Sequence, residues 1–203
     1  MSERPFDLEP VDLPKPPDVP GIVNMLESAD EAIDLALRDV LELADVAVGE
    51  RGRFDLAVSG DPQLDAVWLR MMLDPDLRTF PWHATHLWFS DARGAAESVR
   101  GRLQEALILP SGLQEDHVHP LSGEPTHMMR DELEQRPLDA AMLAVAADGD
   151  VVERLPAAEI ERATLLSILA IGHTGVEGLH KLGGDHAAAC IGRFQGKLRW
   201  YVG

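Results

Sequence analysis

Carboxylates follow three apolar stretches of the sequence, in each case in the turn where the stretch ends. The three turns are Ser59-Gly60-Asp61, Asp91-Ala92-Arg93 and Asp148-Gly149-Asp150. A carboxylate can take a proton as a general base. An arginine among carboxylates can hold a phosphate or can simply neutralise the acids. The three turns are therefore the candidate positions for general-base catalysis or for phosphate binding.

The apolar stretches before these turns predict strands. Ala140–Ala147 is a nearly continuous apolar run, which is typical of a strand buried on both faces of a parallel sheet. Phe54–Ser59 and His83–Phe89 are further predicted strands. Because parallel strands end at one edge of the sheet, the three turns would converge where α/β folds bind ligands. The alternative is that Asp91 and Asp148 only cap helices or form turns.

The remaining pattern alternates helices with strands. Ser28 and Glu31 form a capping box that starts a helix, which Gly49 and Gly52 end. Apolar periodicity and composition predict the other elements. The expected helices cover Leu64–Leu73, Glu97–Leu107, Pro125–Gln135 and Gly175–Leu182, and the expected strands Leu165–Ile171 and Lys197–Val202. His117–Leu121 is too short to assign. The sequence thus predicts an α/β fold with a mainly parallel sheet flanked by helices.

Composition limits the function classes. The 203 residues carry a net charge of −17, which disfavours nucleic acid and anionic membranes as partners because a phosphate backbone needs a basic surface. No apolar run is long enough to span a membrane, and the acidic, proline-rich N-terminus is not that of a signal peptide. The lone Cys190 excludes an internal disulfide and fits a cytoplasmic setting.

Residues 1–21 form an acidic, proline-rich stretch that predicts an extended arm, followed by a single domain over residues 22–203. The arm is a solvated tail, or its apolar residues dock on the body, on another copy of the chain or on a protein partner. His83 and His86 form an HxxH pair, and His117 and His119 an HxH pair. Without a neighbouring carboxylate cluster they predict no metal site. No cofactor is expected either.

The motifs and their order resemble the 6-phosphogluconolactonase family, which shares its fold with glucosamine-6-phosphate deaminases. LAVSGD at Leu56–Asp61 resembles the family's first strand and phosphate turn, LALSGG. Trp82, the following strand and Asp91-Ala92-Arg93 resemble a tryptophan, a strand and Asp-Glu-Arg, after which Glu105-Ala106-Leu107 matches an E-A-L element. Asp148-Gly149-Asp150 resembles Asp-Gly-His, and LRWYVG resembles the final strand. The resemblance covers residues 27–203.

This resemblance implies a modified Rossmann-like α/β fold with a sugar-phosphate pocket. In the family, the histidine of Asp-Gly-His is the proposed base that activates water against the lactone carbonyl, and Asp150 holds that place here. The resemblance therefore implies Asp150, Asp148 and Asp91 as the catalytic positions. It implies Ser59, Gly60, Arg93 and Lys181 as the substrate-binding positions.

The departures from the family pattern bear on activity. Asp150 is a weaker base than histidine and adds negative charge. Asp61 would repel a phosphate, and Pro62 removes an N–H donor from the phosphate turn. We therefore expect a 6-phosphogluconolactonase-like protein of carbohydrate metabolism in which lactone hydrolysis is weak or lost. The alternatives are an active sugar-lactone hydrolase with Asp148 or Asp150 as base, proton transfer of the isomerase type by Asp91 and Asp148, and a pure protein-interaction role.

Overall fold

The computed structural model describes residues 16–90, 96–121, 127–145, 162–182, 194 and 196–203. Their strands form one seven-stranded sheet with the order β1-β7-β6-β5-β2-β3-β4, and each neighbouring pair is parallel. The strands are β1 Ile22–Met25, β2 Phe54–Ser59, β3 Thr85–Ser90, β4 Val118–Leu121, β5 Ala140–Ala144, β6 Leu165–Ala170 and β7 Lys197–Val202. The predicted fold class, α/β with a mainly parallel sheet, is confirmed.

Five helices flank the sheet in the described part of the chain: α1 Ala29–Arg51, α2 Asp65–Leu73, α3 Ala96–Leu103, α4 His127–Gln135 and α5 Gly172–Lys181. The helical path of α3 continues through a π-helical turn, Gln104–Ile108, to Leu109–Ser111. Short 3-10 turns cover Pro62–Leu64, Pro75–Leu77, Trp82–Ala84 and Glu115–His117. Core residues of α1, α2 and α3 pack on one face of the sheet, whereas those of α4 and α5 pack on the other.

Helix α1 begins and ends at the predicted residues. The Ser28 side chain accepts a hydrogen bond from the Glu31 N–H at 3.2 Å, and Gly52 adopts the left-handed cap conformation with φ of 70°. The helix is held to the sheet by Asp39, which accepts a hydrogen bond from the buried Tyr201 hydroxyl and pairs with Arg199. Burial and the Asp39 carboxylate raise the pKa of Tyr201, so the hydroxyl remains a donor.

Two edge strands, β1 and β4, were not predicted. Both are four residues long, and each pairs with a single neighbour, β7 and β3 respectively. Strand β3 begins at Thr85 rather than at the predicted His83, because Trp82–Ala84 form a 3-10 turn. The Thr85 hydroxyl donates a hydrogen bond to the Pro81 carbonyl across this turn at 2.9 Å. Short edge strands carry little periodicity of their own and are defined by their pairing.

Strand β2 is the point at which the chain changes direction across the sheet. Strands β3 and β4 lie on one side of β2, and β5 to β7 lie on the other side. Pairing of β2 with β5 is short, running from Leu56↔Ala140 to Val58↔Met142. On the amino side of this pairing, the Asp55 N–H donates to Asp139 Oδ2 at 2.9 Å, and Asp139 Oδ1 pairs with Arg51. The buried Asp139 carboxylate therefore extends the join between the two halves of the sheet.

In the described chain no helix is both long and apolar enough to cross a membrane. At the end of the predicted arm, Val19 packs against the core, and the Pro20 carbonyl accepts a hydrogen bond from Trp200 Nε1 at 2.7 Å. Residues 1–15 lie outside the described residues, so docking of their apolar side chains remains a prediction.

We expect Asp139→Ala to lower the free energy of unfolding by about 2–3 kcal/mol, because the Asp55 N–H would lose its acceptor in a buried position. Urea denaturation monitored by tryptophan fluorescence measures this change. Glu50→Ala is the matched control, because Glu50 pairs with the same Arg51 at 3.5 Å on the exposed surface. Its expected cost is below about 1 kcal/mol. Equal costs for the two variants would contradict the role given to Asp139.

Candidate functional site

The carboxyl ends of β2 and β5 form the candidate site. Open α/β sheets bind ligands just beyond the carboxyl ends of the strands, at the point where the strand order reverses. In this chain that point lies between β2 and β5. The turn Ser59–Gln63 leaves the end of β2, and Val145 follows the end of β5. The described part of the site is therefore built on these two segments.

Asp61 accepts hydrogen bonds from two backbone donors of the turn after β2. Asp61 Oδ1 accepts a hydrogen bond from the Gln63 N–H at 2.8 Å, and the Asp61 carbonyl accepts one from the Leu64 N–H at 3.0 Å. Pro62 has no N–H. Helix starts of this kind bind anions when their N–H groups point outward and remain free. Here the carboxylate of Asp61, whose residue is 8 % exposed, occupies that position itself.

Gln63 closes the carboxyl end of the join between β2 and β5. Its Nε2 donates to the Val145 carbonyl at 2.7 Å. Its Oε1 is buried and has no hydrogen-bond partner. The first turn of α5 approaches the same atom, because a Cβ added to Gly175 would lie 3.0 Å from Gln63 Oε1 and 2.9 Å from the Ala170 carbonyl carbon. Gly175 therefore permits the close packing of α5 against this side chain.

Arg102 covers the other side of the turn. Its Nη2 donates to the Gly60 carbonyl, and its Nε lies 3.8 Å from Asp65 Oδ1, too far for a hydrogen bond. The Arg102 Nε is buried without a partner, and so is the hydroxyl of Ser59. Sequence motifs predicted neither Gln63 nor Arg102 as a site residue. Neither belongs to a motif, and Arg102 lies in α3, separated from Gly60 by 42 residues.

The predicted site residues divide into two groups. Ser59 and Gly60 lie at the carboxyl edge, as described. Lys181 lies in the last turn of α5, where it pairs with Glu177 at 2.9 Å. This position is about 13 Å along the helix axis from the start of α5. The other predicted residues, Asp91, Arg93, Asp148 and Asp150, lie outside the described residues, so their convergence and the roles of all seven remain predictions.

A second polar cluster lies at the opposite, amino edge of the sheet. Arg53 makes a bidentate pair with Asp55 at 2.8 and 2.6 Å and also contacts Glu132 of α4 at 3.0 Å. Trp88 Nε1 donates to Asp55 Oδ1 at 2.9 Å. A cavity of about 440 Å³ lies beside this cluster. Arg51 and Arg53 line this cavity, but both already pair with carboxylates of the protein, Asp139 and Asp55, which neutralise their charge.

Three histidines extend this amino-edge cluster. His86 Nδ1 lies 2.9 Å from His119 Nε2, and the His86 ring stacks on that of His117 at 4.1 Å. The group contains both histidines of the pair His117 and His119 but only His86 of the other pair, because His83 is exposed and lies outside the group. Burial and the Arg53 charge lower the pKa of His86 to about 4, and burial lowers that of His119. Two neutral rings can share one hydrogen bond, whereas two protonated rings cannot.

Metal binding has no support in this cluster. Among the described residues, no group of three or more histidine, cysteine, aspartate or glutamate side chains is arranged to hold a metal ion. His86 and His119 direct their facing nitrogens at each other, and His86 stacks on His117 through its ring face. The His119 ring also stacks on Trp88 at 4.1 Å, so paired and stacked rings describe this cluster as packing at the amino edge of the sheet.

We expect Gly175→Ala to lower the free energy of unfolding by about 1–3 kcal/mol, because the new Cβ would collide with the Ala170 backbone and with Gln63 Oε1. Thermal or urea unfolding measures the change. Gly101→Ala in α3 is the control, since no atom lies within 4 Å of its added Cβ. That variant should gain up to about 1 kcal/mol from helix propensity. A stabilised Gly175→Ala protein would show that α5 does not pack tightly on Gln63.

The lowered pKa of His86 predicts a loss of stability in acid. With a folded-state pKa of about 4 against an ordinary 6.5, the unfolded chain binds more protons between these values. Stability should therefore fall as the pH drops from about 6.5 to about 4. His86→Gln should flatten this part of the profile, whereas the exposed His83→Gln should leave it unchanged. Urea midpoints at several pH values test this, and identical slopes in both variants would refute it.

Comparison with known proteins places this geometry in a known fold. No protein-family model and no curated protein sequence matches the chain. Solved structures do match. The 6-phosphogluconolactonase of Thermotoga maritima aligns with a TM-score of 0.71 and 16% identity over 90% of this chain and 99% of its own. That of Shewanella baltica gives 0.69 and 14% over 92% and 98%.

A monomeric glucosamine-6-phosphate deaminase also matches, with a TM-score of 0.70 and 9% identity over 89% of this chain and 97% of its own. These matches span nearly the whole length of each neighbour, and they agree with the resemblance carried by the sequence motifs. At such low identity the agreement concerns the fold. The chain is therefore a divergent protein with the fold shared by 6-phosphogluconolactonases and glucosamine-6-phosphate deaminases.

Proposed function

We propose that this chain binds a sugar-derived ligand at the carboxyl edge of β2 and β5, and that its hydrolysis of 6-phosphogluconolactone is weak or lost. The neighbouring structures are 6-phosphogluconolactonases and a sugar-phosphate deaminase, which supports a place in carbohydrate metabolism. A cytoplasmic setting, in which Cys190 stays reduced, belongs to the same proposal. Fold alone does not determine activity, so the proposal rests on the residues of the site.

The observation that carries the proposal is the hydrogen bond from the Gln63 N–H to Asp61 Oδ1. A phosphate at this turn would need that N–H group, and it would have to approach a buried carboxylate. The neighbouring Pro62 offers no donor. The turn thus supplies its own anion at the place where the family holds the phosphate of its substrate.

Loss of the base supports the same conclusion from the sequence. Asp150 replaces the histidine that the family motif places after Asp-Gly. An aspartate with an ordinary pKa near 4 is a weaker base toward water than a histidine near 6.5. Asp148 and Asp91 remain as candidate catalytic carboxylates, and Arg93 and Lys181 as candidate anion-binding residues. With both the base and the phosphate turn altered, hydrolysis loses two separate contributions.

The test is a lactonase assay corrected for spontaneous hydrolysis. We expect the wild-type chain to raise the rate of 6-phosphogluconolactone hydrolysis little above the spontaneous rate. The double variant Asp61→Gly with Asp150→His restores the free N–H and the histidine base. It should raise the enzymatic rate by about 10²-fold or more, the usual contribution of a positioned general base.

The control is Asp74→Gly, because Asp74 caps the turn Pro75–Leu77 as Asp61 caps Pro62–Leu64, with its Oδ1 accepting a hydrogen bond from the Asp76 N–H at 2.9 Å. It should leave the rate unchanged. A wild-type rate well above the spontaneous one that disappears in Asp150→Asn would contradict the proposal and establish the active-hydrolase alternative. Absence of both hydrolysis and sugar binding would favour the interaction role of residues 1–21.

A further inference from the structure

Strand β1 has one open side. It is the last strand of the sheet, and among the described strands it pairs with β7 alone. The Leu26 N–H donates to the Val202 carbonyl at 2.8 Å, so the backbone groups of Leu26 face β7. Successive residues of a strand point their backbone groups to opposite sides, so those of Asn24 also face β7. The N–H and C=O groups of Val23 and Met25 therefore point to the open side, where they form a template for another strand.

The side chains of β1 do not protect this edge. Edge strands are usually kept apart by charged residues or by proline. Strand β4, at the other end of the sheet, contains Pro120, which has no N–H to donate. The four residues of β1, IVNM, include neither proline nor a charged residue. Two of them are exposed apolar side chains, Ile22 at 58% and Met25 at 39%. The edge is therefore open in both its backbone and its side chains.

We propose that β1 pairs antiparallel with β1 of a second copy of this chain, across a two-fold axis. The sheets of the two copies then become one continuous sheet. A two-fold axis presents the same surface from both copies, so the strand has to be complementary to itself. This inference concerns the β1 edge of the sheet and is independent of the ligand proposed for the carboxyl edge of β2 and β5.

The backbone pattern selects one register for this pairing. Residues that exchange hydrogen bonds must both point outward, so Val23 lies opposite Met25 of the second copy, and Met25 opposite its Val23. Ile22 then lies opposite Leu26 of the second copy, and Asn24 lies opposite Asn24 at the axis. A shift by two residues in either direction would place Ile22 or Leu26 opposite Asn24. The register centred on Asn24 is therefore the one that matches apolar side chains with apolar side chains.

The same register covers the exposed side chains with residues that already contact the core. Val23 packs against the core on the α4 and α5 face of the sheet, and Leu26 against the core on the α1 face. Alternate residues of a strand share a face, so Met25 lies on the face of Val23, and Ile22 on the face of Leu26. Pairing thus places Met25 beside Val23 of the second copy, and Ile22 beside its Leu26. Cross-strand apolar pairs of this kind stabilise sheets.

A second copy suits this edge better than the N-terminal arm does. Residues 1–15 hold Pro5, Pro10 and Pro14, which cannot donate to a neighbouring strand, and four acidic residues. A second β1 offers an uncharged strand with N–H groups in the matching places. The pairing is short, and each copy carries a net charge of −17. We therefore expect a weak dimer that dissociates on dilution and is strengthened by salt, which screens the repulsion between the copies.

Sedimentation velocity of the full chain over a range of protein and salt concentrations tests the dimer. We expect the monomer to convert to a dimer as either concentration rises. Met25→Lys should remain monomeric over the same range, because it places a charge on the open edge without removing a fully buried side chain.

Leu73→Lys is the matched control, because Leu73 is an exposed apolar residue of α2, 67% exposed and away from β1. It should form dimers as the wild type does. A wild-type chain that stays monomeric at every concentration would overturn the proposal. So would a dimer that is lost in Leu73→Lys but retained in Met25→Lys.

Disulfide formation tests the register separately, in a chain that carries Cys190→Ser and one new cysteine. With Asn24→Cys, the two cysteines face each other in a non-hydrogen-bonded pair, where Cα atoms lie about 4.5 Å apart and a disulfide can form. Mild oxidation should therefore give a covalent dimer. Ile22→Cys is the control, because residue 22 is more exposed but lies opposite Leu26 rather than opposite itself. Equal crosslinking of the two variants, or of neither, would overturn the proposed pairing.

Discussion

The join between β2 and β5 is the constraint on which the rest of the structure depends. The two halves of the sheet meet only there, and their backbone pairing is short. Side chains extend it at both ends: Asp139 receives the Asp55 N–H at the amino edge, and Gln63 donates to the Val145 carbonyl at the carboxyl edge. Hydrogen bonds shielded from water in this way hold register more firmly than exposed ones.

One side chain of the candidate site, Gln63, also helps to hold the sheet together at this join. Gln63 Nε2 donates to the Val145 carbonyl across the join, whereas Gln63 Oε1 is buried without a hydrogen-bond partner. Packing of α5 at Gly175 holds the amide in place, and Arg102 fixes the turn from the other side through the Gly60 carbonyl. The candidate site is therefore rigid because the sheet needs these contacts whether or not a ligand is bound.

This chain combines the fold shared by 6-phosphogluconolactonases with a turn after β2 that is capped by its own carboxylate. The described strands form a parallel sheet, and at its carboxyl edge Asp61 supplies a carboxylate to a backbone donor of the turn after β2. A carboxylate that caps its own turn stabilises that turn and at the same time closes it to phosphate.

Local sequence determined the elements that depend on composition and on interactions between near neighbours in the chain. Strands β2 and β7 run over the predicted residues, and the capping box of Ser28 and Glu31 starts α1, because composition and hydrogen bonds between near neighbours set them. Tertiary structure decided the rest. Edge strands β1 and β4 exist through pairing with distant strands. Gln63 bonds to Val145, 82 residues away, and Arg102 bonds to Gly60, 42 residues away. Local sequence patterns do not predict contacts over such separations.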